Sequence, residues 1–464
     1  MNNAKKEKLK IVLDNREIEP PKRDFKKEKL KSAIISGIIS IILIIIIAIT
    51  LPMTILPLSG LFVYASIVAL VLFLFILLAR YFTLIWLSYF YMSKYTVEEK
   101  PFYSPFVSII VPVYNEGKVL KDSIESLLKL DYPNYEIIIV NDGSTDNTAE
   151  IGESLVGLHK GKMSWVKVSL INKPNGGKSK ALNAGIQYSE AEFVLCMDGD
   201  SALSPKTLKM GMRHFVDPEV GAVAGNVKVI NRGKPLLDLQ ALEYIEGLNM
   251  ARSAQGFLKM VNIIPGPIGI FRKRALHDAG YYSSDTFAED ADLTLKILAK
   301  GWKIEYEPEA QAWTEAPSTL FQLLKQRYRW TRGILQAIRK HKKFLYNPII
   351  NFNNTLILWS MAFEALLWPA MNIFANLFFI VVALFYGMTS LIVFWWFGIA
   401  ILDFMAAIFC VSAEKEEARL IPYSLIYRIF FVLMIDITKG MATIEEFLGL
   451  AMSWGKLERV GIKK

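Results

Sequence analysis

Cysteine and histidine are scarce in this 464-residue sequence: two cysteines and four histidines. That excludes a disulfide framework and a thiolate zinc site, and the histidines have no metal-ligand spacing. Cys196 and Cys410 both stand among apolar neighbours, the setting of small core fillers. The Gly-x-Gly-x-x-Gly of a dinucleotide turn and the Gly-x(4)-Gly-Lys of a phosphate loop are also missing, which disfavours dehydrogenase and ATPase designs. No internal repeat of the kind found in inverted-repeat transporters is present. Nor is there a balance of charge, since 53 Lys and Arg against 44 Asp and Glu leave +9. With 53% of residues apolar, neither a disordered chain nor a wholly water-soluble one fits. The length calls for two or more structural units.

Apolar sequence is concentrated at the two ends. Residues 1–31 carry eleven basic and six acidic residues around Pro20 and Pro21, and read as a solvated basic tail. The uncharged run 32–51 is long enough at about 1.5 Å per residue to cross a hydrocarbon core of about 30 Å. After a Pro/Gly turn, a second run at 61–79 ends in Arg80 and an aromatic belt of Tyr81, Trp86, Tyr89 and Tyr91. Apolar runs return at 356–384 and 390–411. The stretch 423–454 is mixed, and with Arg428, Asp436, Lys439, Glu445 and Glu446 it either lies along the interface or re-enters, for four spans in all, or crosses the membrane as a fifth; the first is the favoured expectation. The expected division is therefore a tail (1–31), two membrane helices (32–94), an α/β domain ending in interfacial helices (95–346), two or three membrane or interfacial helices (347–454) and a basic tail (455–464). By the positive-inside rule the tail and the central domain face the cytoplasm. The basic residues around 327–343 suit anionic headgroups, and nucleic acid is not an expected partner.

Between these ends, short β-rich runs at 106–113, 136–140, 166–171, 193–197 and 220–230 alternate with helical stretches, which predicts a mostly parallel sheet covered on both faces. Ligands of such sheets bind beyond the carboxyl ends of the strands. There the sequence places Tyr114-Asn115-Glu116, then Asn141-Asp142-Gly143-Ser144-Thr145-Asp146, then Asp198-Gly199-Asp200. The second of these also fits a plain turn and helix cap. In the third, two carboxylates after an apolar strand offer hard oxygens to Mg²⁺ or Mn²⁺, and Gly199 admits close approach of a ligand. Asn175-Gly176-Gly177-Lys178 precedes a helix whose first turn can receive phosphate. Glu289 and Asp290 open another helix, where two adjacent acids near apolar groups can raise a carboxyl pKa into the range of a general base. Gln326, Arg329 and Trp330 fall at i, i+3 and i+4 on one helix face, pairing a planar cation with an aromatic ring.

Taken in order, Pro112–Glu116, Asn141–Asp146, Lys178 with Asn183, Asp198–Asp200, Phe287-Ala288-Glu289-Asp290 and Gln326-Arg327-Tyr328-Arg329-Trp330 resemble the membrane-embedded, processive branch of the family-2 glycosyltransferases. That branch includes the hyaluronan, cellulose, chitin and poly-N-acetylglucosamine synthases. The resemblance spans about 105–343 plus the flanking apolar runs, and it implies a GT-A domain inserted between transmembrane helices. It implies that Tyr114, Glu116 and Asp142 hold uridine and that Lys178 with Asp198 holds the nucleotide and its phosphates. Asp200, with Asp198, would ligate the Mg or Mn ion. Asp290, beside Glu289, corresponds to the general base, although Ala288 stands where a threonine is usual. Gln326, Arg329 and Trp330 would meet the nucleotide sugar, and Gly266 and Pro267 of the 264–269 loop, with Trp330, the acceptor. The implied reaction is inverting transfer from a UDP-sugar, with UDP-N-acetylglucosamine first, to a growing β-linked polysaccharide exported through the same membrane bundle, at the plasma membrane. The neighbouring expectation is a lipid acceptor, as in ceramide glucosylation; a third is a conduit whose transferase domain no longer turns over. Polar residues Glu364, Asn372 and Asn376 in the later apolar runs are candidates for a channel lining or for helix-to-helix bonding.

Overall fold

The computed structural model describes residues 61–95, 102–349, 351–387 and 389–449. The expected tail 1–31, the run 32–51 and the 455–464 tail lie outside the described residues.

The central unit is a nine-stranded sheet in the order β3-β4-β2-β1-β5-β8-β7-β9-β6. Its first half is built from β1 (Val107–Val113), β2 (Tyr135–Asp142), β3 (Gly157–Lys160), β4 (Trp165–Lys173) and β5 (Phe193–Cys196). The ladder β4-β2-β1-β5 is parallel throughout, and β3 closes the edge as an antiparallel hairpin partner of β4. Alternation of side chains explains why these strands read as unbroken apolar runs. Ile109, Val111, Ile137 and Ile139 pack into one core, while Ile110, Ile138 and Val140 pack into another on the opposite face. The second half is mixed: β6 (Ala202–Leu203), β7 (Val220–Val229), β8 (Gly269–Arg272) and β9 (Lys303–Thr314), with β8 antiparallel to β5 and β7 and with β7 parallel to β9.

Pro112 sits inside β1, where a missing N–H would normally break a central strand. The β1–β5 pairing, however, ends at Ile110 and Cys196. Beyond that rung the two strands part, and the polar residues that follow each of them face a common opening.

Among the described residues, four helical segments are long and apolar enough to cross a membrane: Tyr64–Lys94, Phe352–Leu384, Ile392–Ala413 and Ala418–Phe447. The last of these contains the mixed stretch expected at the interface. It begins as a 3₁₀ turn containing Pro422 and takes a π turn at Tyr427–Val432. Its charge is handled internally: the buried Arg428 donates to both oxygens of Asp403, at 2.8 and 2.6 Å. Asn372 donates to Asp436 at 2.7 Å and Trp396 donates to Asn376 at 2.9 Å, so these two asparagines bond helix to helix rather than line a channel. Glu364 differs, pairing with Arg80 at 2.6 Å at the edge of the site described below.

The two parts are bolted together by ion pairs at the turn between the third and fourth apolar segments. Lys228 of β7 meets Glu416 at 2.8 Å, and Arg419 meets Asp238 at 2.8 Å. The amphipathic helix Leu320–Lys340 is fastened to the last apolar segment by Arg332, whose Nε donates to Glu446 at 2.8 Å.

Candidate active site

Three loops at the carboxyl ends of β1, β2 and β5 build one side of a cleft of about 1010 Å³. The first two are laced to each other. Asn115, held at φ 53°, donates its amide to Ser144 Oγ at 2.9 Å and accepts from the Thr145 amide at 2.7 Å, while the Glu116 amide donates to Thr148 Oγ1 at 2.8 Å. This lacing presents Tyr114 and Glu116 to the cleft beside Asp142.

Asp142 enters the cleft already engaged. Its carboxylate accepts from Lys173 and from the amides of Gly176 and Gly177, the last two at 3.0 and 2.8 Å. The glycine turn before the helix thus holds an internal acid with two of its amides. Gly199 also lines the cleft, and a Cβ there would lie 2.1 Å from Glu116 Oε2 and 3.0 Å from the Pro112 carbonyl, so its missing side chain makes room for Glu116.

The centre of the site is Lys178, the first residue of the helix Lys178–Tyr188. Its Nζ lies 2.7 Å from Asp198 Oδ1 and 2.9 Å from Glu289 Oε1. Burial works against its charge, but these two acids raise its pKa well above the usual lysine value. Gly266 closes over this triad: a Cβ at that position would meet Lys178 Nζ at 2.9 Å and Asp198 Oδ2 at 3.0 Å. The Pro265-Gly266-Pro267 loop thus lies directly on the Lys178–Asp198 pair.

Asp290 follows Glu289 at the start of the helix Glu289–Ala299. Burial, then the adjacent Glu289, pushes its pKa up to about 6 against the partial relief of Lys178. The helix is anchored from behind by Asp292, fully buried, which accepts from His341 at 2.8 Å and Lys340 at 3.0 Å. Those bonds hold its carboxyl below the usual range although burial opposes them. Asn183, one of the marks in the sequence, is structural: it exchanges two hydrogen bonds, of 2.8 and 3.0 Å, with the backbone of Tyr282.

The opposite wall is the helix Leu320–Lys340, which brings Gln326, Arg329 and Trp330 to the cleft. It approaches closely because residue 333 is glycine; a Cβ there would stand 2.6 Å from the Ala288 amide. Tyr114, Glu116, Asp142, Lys178, Asp198, Asp200, Gly266, Pro267, Glu289, Asp290, Gln326, Arg329 and Trp330 all line this one cleft, which continues to Met361, Glu364 and Lys439 in the apolar segments. Two wall residues carried no signal in the sequence. Glu243 and Arg252 come from helical turns that read as ordinary amphipathic sequence, and only the tertiary fold brings them to the cleft.

Asp198 and Asp200 supply hard carboxylate oxygens to the cleft, and among the described residues no group of three or more His, Cys, Asp or Glu side chains gathers as a complete metal cage. This donor set fits a divalent cation of the kind held by one or two carboxylates with substrate phosphates completing the shell.

Residues 108–279 match the family Glycosyl transferase family 2. The chain is 36% identical over 228 residues to a poly-beta-1,6-N-acetyl-D-glucosamine synthase of Staphylococcus epidermidis, covering 49% of this chain and 54% of the relative. It is 34% identical over 255 residues to the Staphylococcus aureus (strain COL) protein of the same name, covering 53% and 60% respectively. The matches thus span little more than half the length of these relatives. Among solved structures, a mannosyltransferase from Pyrobaculum calidifontis in complex with GDP-Man and Mn²⁺ superposes with a TM-score of 0.57 at 20% identity, covering 84% of this chain and all of that one. The α/β unit accordingly has the GT-A fold.

Proposed function

Proceeding from a Glycosyl transferase family 2 domain at 108–279, we propose that this protein transfers a sugar from a UDP-sugar, UDP-N-acetylglucosamine first, to a growing β-linked polysaccharide at a membrane. The observation that carries this reading is the continuity of the cleft, which runs from the strand-end acids Asp198 and Asp200 past Asp290 and Trp330 to Glu364 and Lys439 in the apolar segments. A nucleotide sugar and an elongated acceptor fit its two ends. The name shared by the staphylococcal relatives favours N-acetylglucosamine and a polymeric product.

In this reading Tyr114, Glu116 and Asp142 hold the uridine. Lys178 and Arg329 neutralise the diphosphate, with Lys178 shared between Asp198 and the incoming phosphates. Asp198 and Asp200 hold a Mg²⁺ or Mn²⁺ ion, which when bound supplies charge to the leaving diphosphate. Asp290 takes the proton of the acceptor hydroxyl as its oxygen bonds to the sugar's anomeric carbon. The bond from that carbon to the diphosphate breaks, and UDP leaves with the electron pair. One displacement inverts configuration, so an α-linked donor gives a β-linked product. Gly266, Pro267 and Trp330 hold the acceptor. The catalytic domain faces the cytoplasm of a plasma membrane, and the polymer leaves through the apolar segments.

The test uses the full chain in lipid nanodiscs, with Mg²⁺ or Mn²⁺ and each radiolabelled UDP-sugar in turn. Products are sized on a gel and digested with linkage-specific glycosidases. Long labelled polymer from one donor is expected. Label confined to a single-sugar lipid would replace the polymer reading with a lipid transferase, and UDP binding without any labelled product would leave only the conduit.

A further inference from the structure

We infer that Glu243 and Arg327 are positioning residues that fix the indole of Trp330 and leave one of its faces for the acceptor. This rests on the reading of Trp330 as part of the acceptor site.

Arg327 is 3% exposed, an expensive place for a cation unless it is paired and hydrogen-bonded. Its Nε and Nη2 donate to the two carboxylate oxygens of Glu243, the Nε bond at 3.1 Å, and its Nη1 donates to Gln326 Oε1. A two-pronged Arg–carboxylate contact fixes the guanidinium plane as well as its charge. The guanidinium sits over the indole, with Cζ 4.2 Å from the ring centroid of Trp330. Such stacking is favourable electrostatically and sterically excludes anything else from that face. A sugar can therefore reach only the other face or the edge of the ring.

The carboxylate that locks Arg327 comes from a different element, the π-helical segment Glu243–Asn249. π turns are rare, and they shift the side chains of one helical turn relative to the next. Here the turn begins at Glu243, and Glu243, Arg327 and Trp330 all line the same cleft. An ion pair serving only to join two helices has no need of an aromatic ring against it. The arrangement instead gives Trp330 a rigid backing where the ring meets the cleft.

The test measures acceptor and donor KM separately for the full chain in nanodiscs, with the UDP-sugar it uses and a soluble N-acetylglucosamine oligosaccharide as acceptor probe. Glu243→Gln and Arg327→Lys are each expected to raise acceptor KM about tenfold while donor KM stays within about twofold. The exchange Glu243→Arg with Arg327→Glu re-forms the ion pair but puts a carboxylate against the ring. It is expected to restore yield and leave acceptor KM high. Should Glu243→Gln not survive extraction, Arg327→Lys, which keeps the charge, carries the measurement. Trp330→Ala separates this proposal from the reading beneath it. If Trp330→Ala raises acceptor KM but the other two variants do not, or if the exchanged pair restores it, the positioning role is overturned. If Trp330→Ala itself leaves acceptor KM unchanged, the acceptor reading fails and the positioning role with it.

Discussion

Lys178 Nζ stands 2.9 Å from Glu289 Oε1, so a cation from the helix after the glycine turn is tied to the acid next to Asp290. The same amine lies 2.7 Å from Asp198. Phosphate recognition and the proposed base are thereby joined through one side chain. Removing the cation has two separable effects. Lys178→Met should raise donor KM by at least about tenfold, since a point charge near the diphosphate is gone. It should also move the acidic limb of the pH–rate profile to higher pH, because Lys178 is what lowers the Asp290 pKa against burial and Glu289. A donor KM increase with an unmoved limb would show that Lys178 does not act on the base.

Asp290 itself makes a prediction with opposite signs for activity and stability. With its pKa pushed up to about 6, kcat/KM should rise with pH through about 6 and level off above it. Asp290→Asn should cut transfer by about 10³-fold or more while UDP binding stays within about twofold. For stability the folded carboxyl binds its proton more tightly than the unfolded one, whose pKa is about 3.9. Wild-type stability therefore declines as pH rises from about 4 through about 6, and the loss is complete above that. Asn carries no such cost. The variant should be more resistant to thermal inactivation at pH 7, by about 1–3 kcal/mol, with the advantage vanishing near pH 4. Equal resistance at both pH values would argue against a strained acid at this position.

What the sequence made legible and what it hid have physical reasons. β1, β2 and β5 were readable because a strand buried on both faces is a plain apolar run, closed in each case by an acid-bearing turn, and β4 because buried Val166 and Val168 alternate with exposed Trp165 and Lys167. β8 and β9 were not. β8 is four residues long, and β9 carries Glu305 and Glu307 inside the fold, where Arg213 pairs with Glu307 and the His214 ring lies 2.8 Å from the same carboxylate. Strand charges that would ordinarily mark a loop are here paired across elements. The site residues were readable where they follow strands or repeat at helical spacing. Glu243 was not, because its partner Arg327 is 84 residues away and nothing local distinguishes it from a solvated helix residue. Asn372 and Asn376 show the converse: polar residues in apolar helices were visible, but whether they face a channel or a neighbouring helix depends on packing.

The carboxylates after β5 give a metal prediction with a binding readout. Asp200→Asn leaves a single full carboxylate, Asp198, which Lys178 already engages at 2.7 Å. UDP affinity in Mg²⁺ or Mn²⁺, followed by calorimetry, should fall about tenfold or more, and chelation with EDTA should weaken wild-type binding to a similar level. The variant's binding should no longer respond to EDTA. Continued metal dependence in Asp200→Asn would place the ion elsewhere.

Gly199 separates two explanations of the same residue. If it is glycine so that a ligand can approach, Gly199→Ala should weaken UDP binding and leave the apo protein as stable as before. The structure argues the reverse, since a Cβ there would fall 2.1 Å from Glu116 Oε2 and 2.8 Å from Val113 Cγ1, and Val113 belongs to a central strand that cannot give way. Overpacking at such a point costs about 1–3 kcal/mol. Gly199→Ala should therefore lower the apo Tm in detergent or nanodiscs, and truncating the obstructing carboxylate with Glu116→Ala in the same chain should recover part of that loss. The recovery is the informative part. It requires Glu116 and residue 199 to compete for one space, so a double variant no more stable than Gly199→Ala alone would return the glycine to the ligand.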